Sequence, residues 1–220
     1  MRLPFGRAAA FLRRRWLRQL PRGSIRNNDE TRESTGEISV KGKVRIRLNV
    51  ADAIHNRHSY RGKFKAIPVP REDLIKILKA GIAAPSGCNK QTTGFIAVDD
   101  PEVLKRLHDV IQPPVGDTAP AAICVLTQRV CAYRDKCFAV QDYSAAIQNM
   151  LLTIVDLGYQ SCWYEGHITD DDRICDKMAQ ILNVPADYEV VCFLPVGIAE
   201  SDPVGPRKKP FEEWAGVVRK

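Results

Sequence analysis

The residues best able to do chemistry fall in four short polar clusters. In "RHSYR", residues 57–61, Arg57, Ser59 and Arg61 point to one side of an extended chain, because side chains alternate along it. Two guanidinium forks with a hydroxyl between them match a phosphate or another polar anion. A solvated basic loop after a helix would use the same residues. In "APSGCNKQ", residues 84–91, Pro85 and Gly87 make a turn with Ser86 at its corner. Asn89 and Gln91 each offer a donor and an acceptor suited to the edge of a heterocycle. A helix stop ahead of a strand is equally well served by this Pro and Gly. In "SCWYEGH", residues 161–167, a strand ends on Glu165 and Gly166, exposing consecutive backbone amides where the absent Gly side chain lets a ligand approach. Trp163 and Tyr164 are placed to wall a planar ligand, or else to sit in the core. In "PRKKP", residues 206–210, Arg207 and Lys208 offer more positive charge to an anion or form a soluble basic turn. No Ser or Cys stands in a nucleophile setting beside His58 or His167, so both read as residues held in position rather than as bases.

The elements that must position these clusters alternate along the chain. "NVADAIHNR" reads as a helix with Asn49 as its N-cap, and "PVPREDLIKILKAGIAA" as a helix with Pro70 in its first turn. "TGFIAVDD" and "PAAICVLTQ" read as strands on either side of the helix "DPEVLKRLHDVI". "FAVQDYSAAIQNMLLTIVDLG" is the longest helical stretch, closed by Gly158. "YQSCWYEG" follows as a strand, "TDDDRICDKMAQILNVP" as a capped helix and "EVVCFLPVGIAE" as a buried strand. There is no GxGxxG and no GxxxxGK[ST], which argues against a dinucleotide fold of the Rossmann type and against a nucleoside triphosphate site.

Charge is unevenly placed. The first 28 residues contain eight Arg and no acidic residue, whereas the remaining 192 hold 25 Lys and Arg against 26 Asp and Glu, a net of −1. A neutral body argues against a basic nucleic-acid groove. Phe11, Leu12, Trp16, Leu17 and Leu20 gather near one helical face among arginines. That pattern suits a peripheral membrane contact through residues 1–28, an organelle-targeting peptide or an inert extension. Residues 1–44 therefore read as a basic extension with a polar linker, and 45–220 as one domain. Seven Cys form no CxxC pair, which speaks for a reducing compartment and a cytoplasmic protein without a metal site.

Taken in order and spacing, "RHSYR", "APSGCNKQ" running into a strand, the long helix, "SCWYEGH" and "GPRKKP" resemble the FMN-dependent nitroreductase family over about residues 48–215. The resemblance implies an α+β fold, a mixed β-sheet flanked by helices, in an intertwined homodimer with FMN at the interface. It implies that Arg57 and Ser59, with His58 between them, meet the flavin phosphate and that Arg61 lies at the pyrimidine side of the ring. It places Pro85, Ser86, Asn89 and Gln91 on the flavin of the other protomer. It brings the backbone amides of Glu165 and Gly166 to the ring, and assigns Arg207 or Lys208 to the phosphate.

The activity implied is hydride transfer from NADH or NADPH through FMN to an electron-poor acceptor such as a nitroaromatic or a quinone, with the flavin carrying the chemistry and no catalytic side chain. A dehalogenating or azoline-oxidising flavoprotein of the same fold, and a flavin-binding membrane-surface adaptor with little turnover, are the alternatives. Two departures from the family pattern stand out. Thr92-Thr93 replace the Pro-Trp that usually follows Gln91, removing a packing aromatic. The connection from Leu107 to Pro120 is too short for a long lid, which implies an open site and broad acceptor use.

Overall fold

The computed structural model describes residues 38–40, 43–45, 48–166 and 173–218. The expectations for residues 1–28 and for His167 lie outside these residues. Where the stretch that reads as linker meets the domain, Ile38–Val40 (β1) and Lys43–Arg45 (β2) pair as antiparallel strands.

The helices begin where their capping residues place them. Asn49 opens Val50–Asn56 (α1), its side-chain carbonyl accepting the Asp52 N–H at 3.0 Å and satisfying one orphan donor of the first turn. Pro70 stands at the N-cap of Arg71–Ile82 (α2), one position earlier than the sequence suggests. Asp100 caps Pro101–Asp109 (α3) by accepting from the Glu102 and Val103 N–H groups. The hairpin strands Cys131–Tyr133 (β5) and Lys136–Cys137 (β6) then lead into the long helix Ala139–Asp156 (α4). That helix buries Tyr143, Ala146, Ile147, Met150, Leu151 and Ile154, an apolar stripe at three- and four-residue spacing. Gly158, with a φ of 79°, ends the helix in the left-handed conformation that glycine adopts without strain.

The central sheet contains Thr93–Val98 (β3), Ala121–Thr127 (β4), Tyr164–Glu165 (β7) and Glu189–Val196 (β8) in the order β3-β4-β8-β7. Each neighbouring pair is antiparallel. The expected α+β architecture is present, and its parallel component among the described residues is a single bridge, Ser59 to Ser161. Strands β4 and β7 run the same way with β8 between them, so α4 crosses one face of the sheet. Leu74 and Ile77 of α2 and Ile147, Met150 and Ile154 of α4 pack there against Ile123, Val125, Cys192 and Leu194. Phe193 alternates to the other face, where the His108 ring of α3 meets it edge-on at 5.9 Å. Helix Ile174–Ile181 (α5) packs on β8 and α3. Covered on both faces, β4 is buried at every residue, which is why it reads as an unbroken apolar run. A last short helix, Phe211–Trp214 (α6), follows an extended C-terminal segment. Among the described residues no helix is long and apolar enough to cross a membrane.

Candidate functional site

Where α1 ends, the chain becomes extended and runs beside the segment that precedes β7. The Tyr60 N–H donates to the Ser161 carbonyl at 2.9 Å, and Ser59 bridges Ser161 in parallel register. "RHSYR" is therefore tied to "SCWYEGH" by main-chain bonds, although 100 positions separate them. Next to this join lies a groove of about 500 Å³. It is lined by Ile54, His55, Arg57 and His58 at the end of α1, by Gln148 of α4, and by Gly205, Pro206 and Lys208 of the C-terminal segment. Gly205 lies against the His58 ring so closely that a Cβ there would sit 2.3 Å from ring atoms. Glycine leaves room for this ring where the C-terminal segment passes His58 and brings Lys208 to the same groove. Arg207 does not line it.

Further along the same edge, the ladder between β7 and β8 fixes where the amides point. Gly166 donates its N–H to the Val191 carbonyl at 3.1 Å. Successive residues of an antiparallel strand turn their amides to opposite sides, so the Glu165 N–H faces outward, away from β8. The two amides that the sequence treats as a pair are thus divided: Gly166 holds the sheet and Glu165 faces the open edge. Gly166 also has a packing role, since a Cβ there would fall 1.8 Å from the Cys175 Sγ. Arg61 acts at this edge too, its charge lowering the Cys162 thiol against the stronger effect of burial, which pushes that thiol up to about 11. Ser161 is 2% exposed, and its Oγ has no hydrogen-bond partner among the described residues. Trp163 turns inward, packing its ring on Tyr143 at 6.4 Å while its indole N–H donates to the Glu165 carboxylate at 3.0 Å.

The corner "APSGCNKQ" is built differently from its sequence-level reading. Two hydrogen bonds tie it together: the Gln91 backbone N–H donates to Ser86 Oγ at 2.9 Å, and the Gln91 side-chain amide donates to Asn89 Oδ1 at 3.3 Å. Cys88, Asn89 and Gln91 all have positive φ, 49°, 52° and 51°. The fixed point is Asp142, buried in the first turn of α4. One carboxylate oxygen accepts the Gly87 N–H at 2.7 Å and the other accepts the Thr92 hydroxyl at 2.8 Å. Thr92, which marks a departure from the family pattern, is therefore a buried partner of Asp142. Gly87 makes room for Phe138, whose ring atoms lie 2.5 Å from where a Cβ would be. This corner leads into β3, at the opposite edge of the sheet from β7, roughly 14 Å away across three strand spacings. Within one chain it does not join the groove.

The family model described as Nitroreductase family matches residues 54–114 and 108–198. The chain belongs to the nitroreductase family. A protein of Methanothermobacter thermautotrophicus, provisionally named an NADH dehydrogenase/NAD(P)H nitroreductase, is 30% identical over 80% of this chain and 93% of its own length. Among solved structures, an FMN-dependent nitroreductase from Clostridium difficile R20291 is 28% identical with a TM-score of 0.64, covering 74% of this chain and 96% of that one. A BluB-like flavoprotein from Clostridium difficile 630 is 26% identical with a TM-score of 0.67, covering 78% of this chain and all of that one.

For this nitroreductase, the structure gathers Arg57, His58 and Lys208 in one groove, with Ser59, Arg61 and Glu165 along the adjoining edge. It holds Pro85, Ser86, Asn89 and Gln91 at the far edge and leaves Arg207 outside the groove. Sequence reasoning missed His55 and Gln148 as lining residues and Asp142 as the anchor of the corner. Asp142 carried one faint signal, being a charged residue among the buried positions of α4.

Proposed function

We propose that this nitroreductase-family enzyme binds FMN and uses NADH or NADPH to reduce electron-poor acceptors such as nitroaromatics or quinones. The observation that carries the reading is the convergence of Arg57, His58 and Lys208 on one groove, closed by Gly205, beside a sheet edge that presents Arg61 and the outward Glu165 amide.

The residues fit the cofactor. A cationic groove with room made by a glycine suits a phosphate, since guanidinium and ammonium groups form the stronger, charge-assisted hydrogen bonds to it. The unpartnered Ser161 Oγ marks a polar seam between groove and edge. FMN held there would supply the redox chemistry, the transfer of hydride equivalents between nicotinamide and acceptor. Arg57 and Lys208 hold the phosphate end, with Ser59 and His58 fixing its orientation. Arg61 and the Glu165 N–H place positive potential at the ring end, where negative charge accumulates on reduction. No side chain is required as acid or base.

The corner enters through a second copy. Pro85, Ser86, Asn89 and Gln91 lie at the wrong sheet edge to reach their own groove, so we assign them to the flavin of a partner protomer in a homodimer. Their mutual hydrogen bonds and the Asp142 anchor give that corner a fixed shape. The connection from residue 110 to 120 supports an open site. Thr118 Oγ1 accepts the Phe64 N–H at 2.7 Å, and Gly116 sits against Pro195, so the loop is tied down rather than free to serve as a lid.

The test is flavin content after purification. Replacing Arg57 and Arg61 together by Ala leaves the fold intact and yields a colourless protein; a double variant that keeps its full complement of FMN would overturn the site assignment.

A further inference from the structure

The seven cysteines divide into two sets. Cys124, Cys162, Cys175 and Cys192 are buried, and burial pushes their thiols up, Cys124 to about 12. Such thiols are poor nucleophiles, because the thiolate is the reacting form. Cys88, Cys131 and Cys137 are exposed. Two of the exposed set are paired across the hairpin: Cys131 of β5 is the register partner of Cys137 of β6, with a register shift between Cys131 and Tyr133 next to the turn. Opposed residues of an antiparallel pair have Cα atoms about 4.5–5.5 Å apart. A disulfide requires about 4.4–6.8 Å. The intervening turn is short, with Arg134 at a φ of 52°, so the strands are held face to face.

We propose that Cys131 and Cys137 form a reversible dithiol–disulfide pair, a modification site whose co-substrate is a low-molecular-weight disulfide of the glutathione type. The thiolate of one cysteine attacks a sulfur of the small disulfide. A mixed protein–small-molecule disulfide forms, and the other small-molecule sulfur leaves and takes up the proton. The second cysteine then attacks the protein sulfur of that mixed disulfide, making the Cys131–Cys137 bond and expelling a second small thiol. The protein loses two electrons and two protons, and the small disulfide is reduced to two thiols. Cys88 is the natural competitor, since it sits on the turn that packs against β5. Closing the bond clamps the hairpin just before Phe138, whose ring covers Gly87 at the corner. The pairing rests on the hairpin geometry and stands independently of the cofactor assignment.

The experiment treats the full-length protein with oxidised glutathione, quenches with an alkylating agent and maps the tryptic peptides by mass. Trypsin cuts after Arg134 and Lys136, so the Cys131 and Cys137 peptides stay together only if a bond joins them. The expected result is a linked pair that dithiothreitol separates. Cys131→Ser and Cys137→Ser variants each retain a glutathione adduct on the remaining cysteine, at least ~10-fold more than the wild type, because resolution by the second thiol is lost. Cys88→Ser behaves as wild type. A bond from Cys131 or Cys137 to Cys88, a stable glutathione adduct on the wild-type hairpin, or no reaction at either cysteine overturns the proposal. A linked peptide that persists in Cys137→Ser, which would place the bond at Cys162 on the same fragment, overturns it as well.

Discussion

Replacing Thr92 by Val should destabilise the protein by about 1.5–3 kcal/mol, the range for losing a hydrogen bond to a charged group. Valine matches threonine in shape, so no cavity opens and the change isolates the hydroxyl. Thr92 is 4% exposed, and its Oγ1 donates to Asp142 at 2.8 Å. Without it, one oxygen of a buried carboxylate keeps no partner from Thr92, while the other still accepts the Gly87 N–H. The helix N-terminus favours the carboxylate charge, which tempers the loss without replacing the bond. For a folded unit of this size the loss corresponds to roughly 3–12 °C in Tm. Thr92→Ser keeps the donor and should cost about 1 kcal/mol or less, for one methyl group. Equilibrium urea unfolding of the three proteins, each with and without added FMN, measures the difference. A Thr92→Val protein within about 0.5 kcal/mol of wild type, or a Ser variant as unstable as the Val variant, would refute the role given to Asp142.

Other outcomes follow from the same geometry. Gly205→Val forces a side chain into the His58 ring, where even a Cβ falls at 2.3 Å; it should weaken FMN retention at least ~10-fold while leaving the urea midpoint of the FMN-free protein unchanged, read by fluorescence of released flavin. His108 is held below its ordinary value of 6.5 by burial, which outweighs the opposing pull of Asp117 and Asp109, and its Nε2 has no partner among the described residues. The folded state disfavours the imidazolium, so the unfolded chain binds more protons below that value. The contribution is complete above pH 6.5 and is lost as the pH falls below it. Urea midpoints from about pH 7.5 to about pH 5.5 should therefore fall less steeply for His108→Gln than for wild type; equal slopes would count against the assignment. Tyr159→Phe removes a buried hydrogen bond of 2.8 Å to Asp73 and should cost about 1.5–3 kcal/mol in the same unfolding assay.

Much of the fold is written locally. Asn49 and Asp100 cap helices through bonds to residues two or three positions on, and the run 121–127 is apolar because both faces of β4 are covered. The hairpin 131–137 escaped notice because strands of three and two residues are too short to show alternation, and its turn contains no glycine. The candidate site was legible where its residues act as charges: Arg57 and Lys208 meet in one groove although 151 positions separate them. It was illegible where function depends on who bonds whom. Ser86, Asn89 and Gln91 are joined by two hydrogen bonds that their order along the chain does not announce. Asp142 reaches back to Gly87 and Thr92 across 55 and 50 positions. The Gly166 amide belongs to Val191, which only the strand register reveals.

Anaerobic titration of the purified protein decides whether this chain works as a flavin-dependent NAD(P)H oxidoreductase. The expected result is a yellow protein whose flavin absorbance is bleached by NADH or NADPH and restored by a quinone or a nitroaromatic. A protein that cannot be loaded with FMN, or a loaded one that neither nicotinamide bleaches, would contradict it.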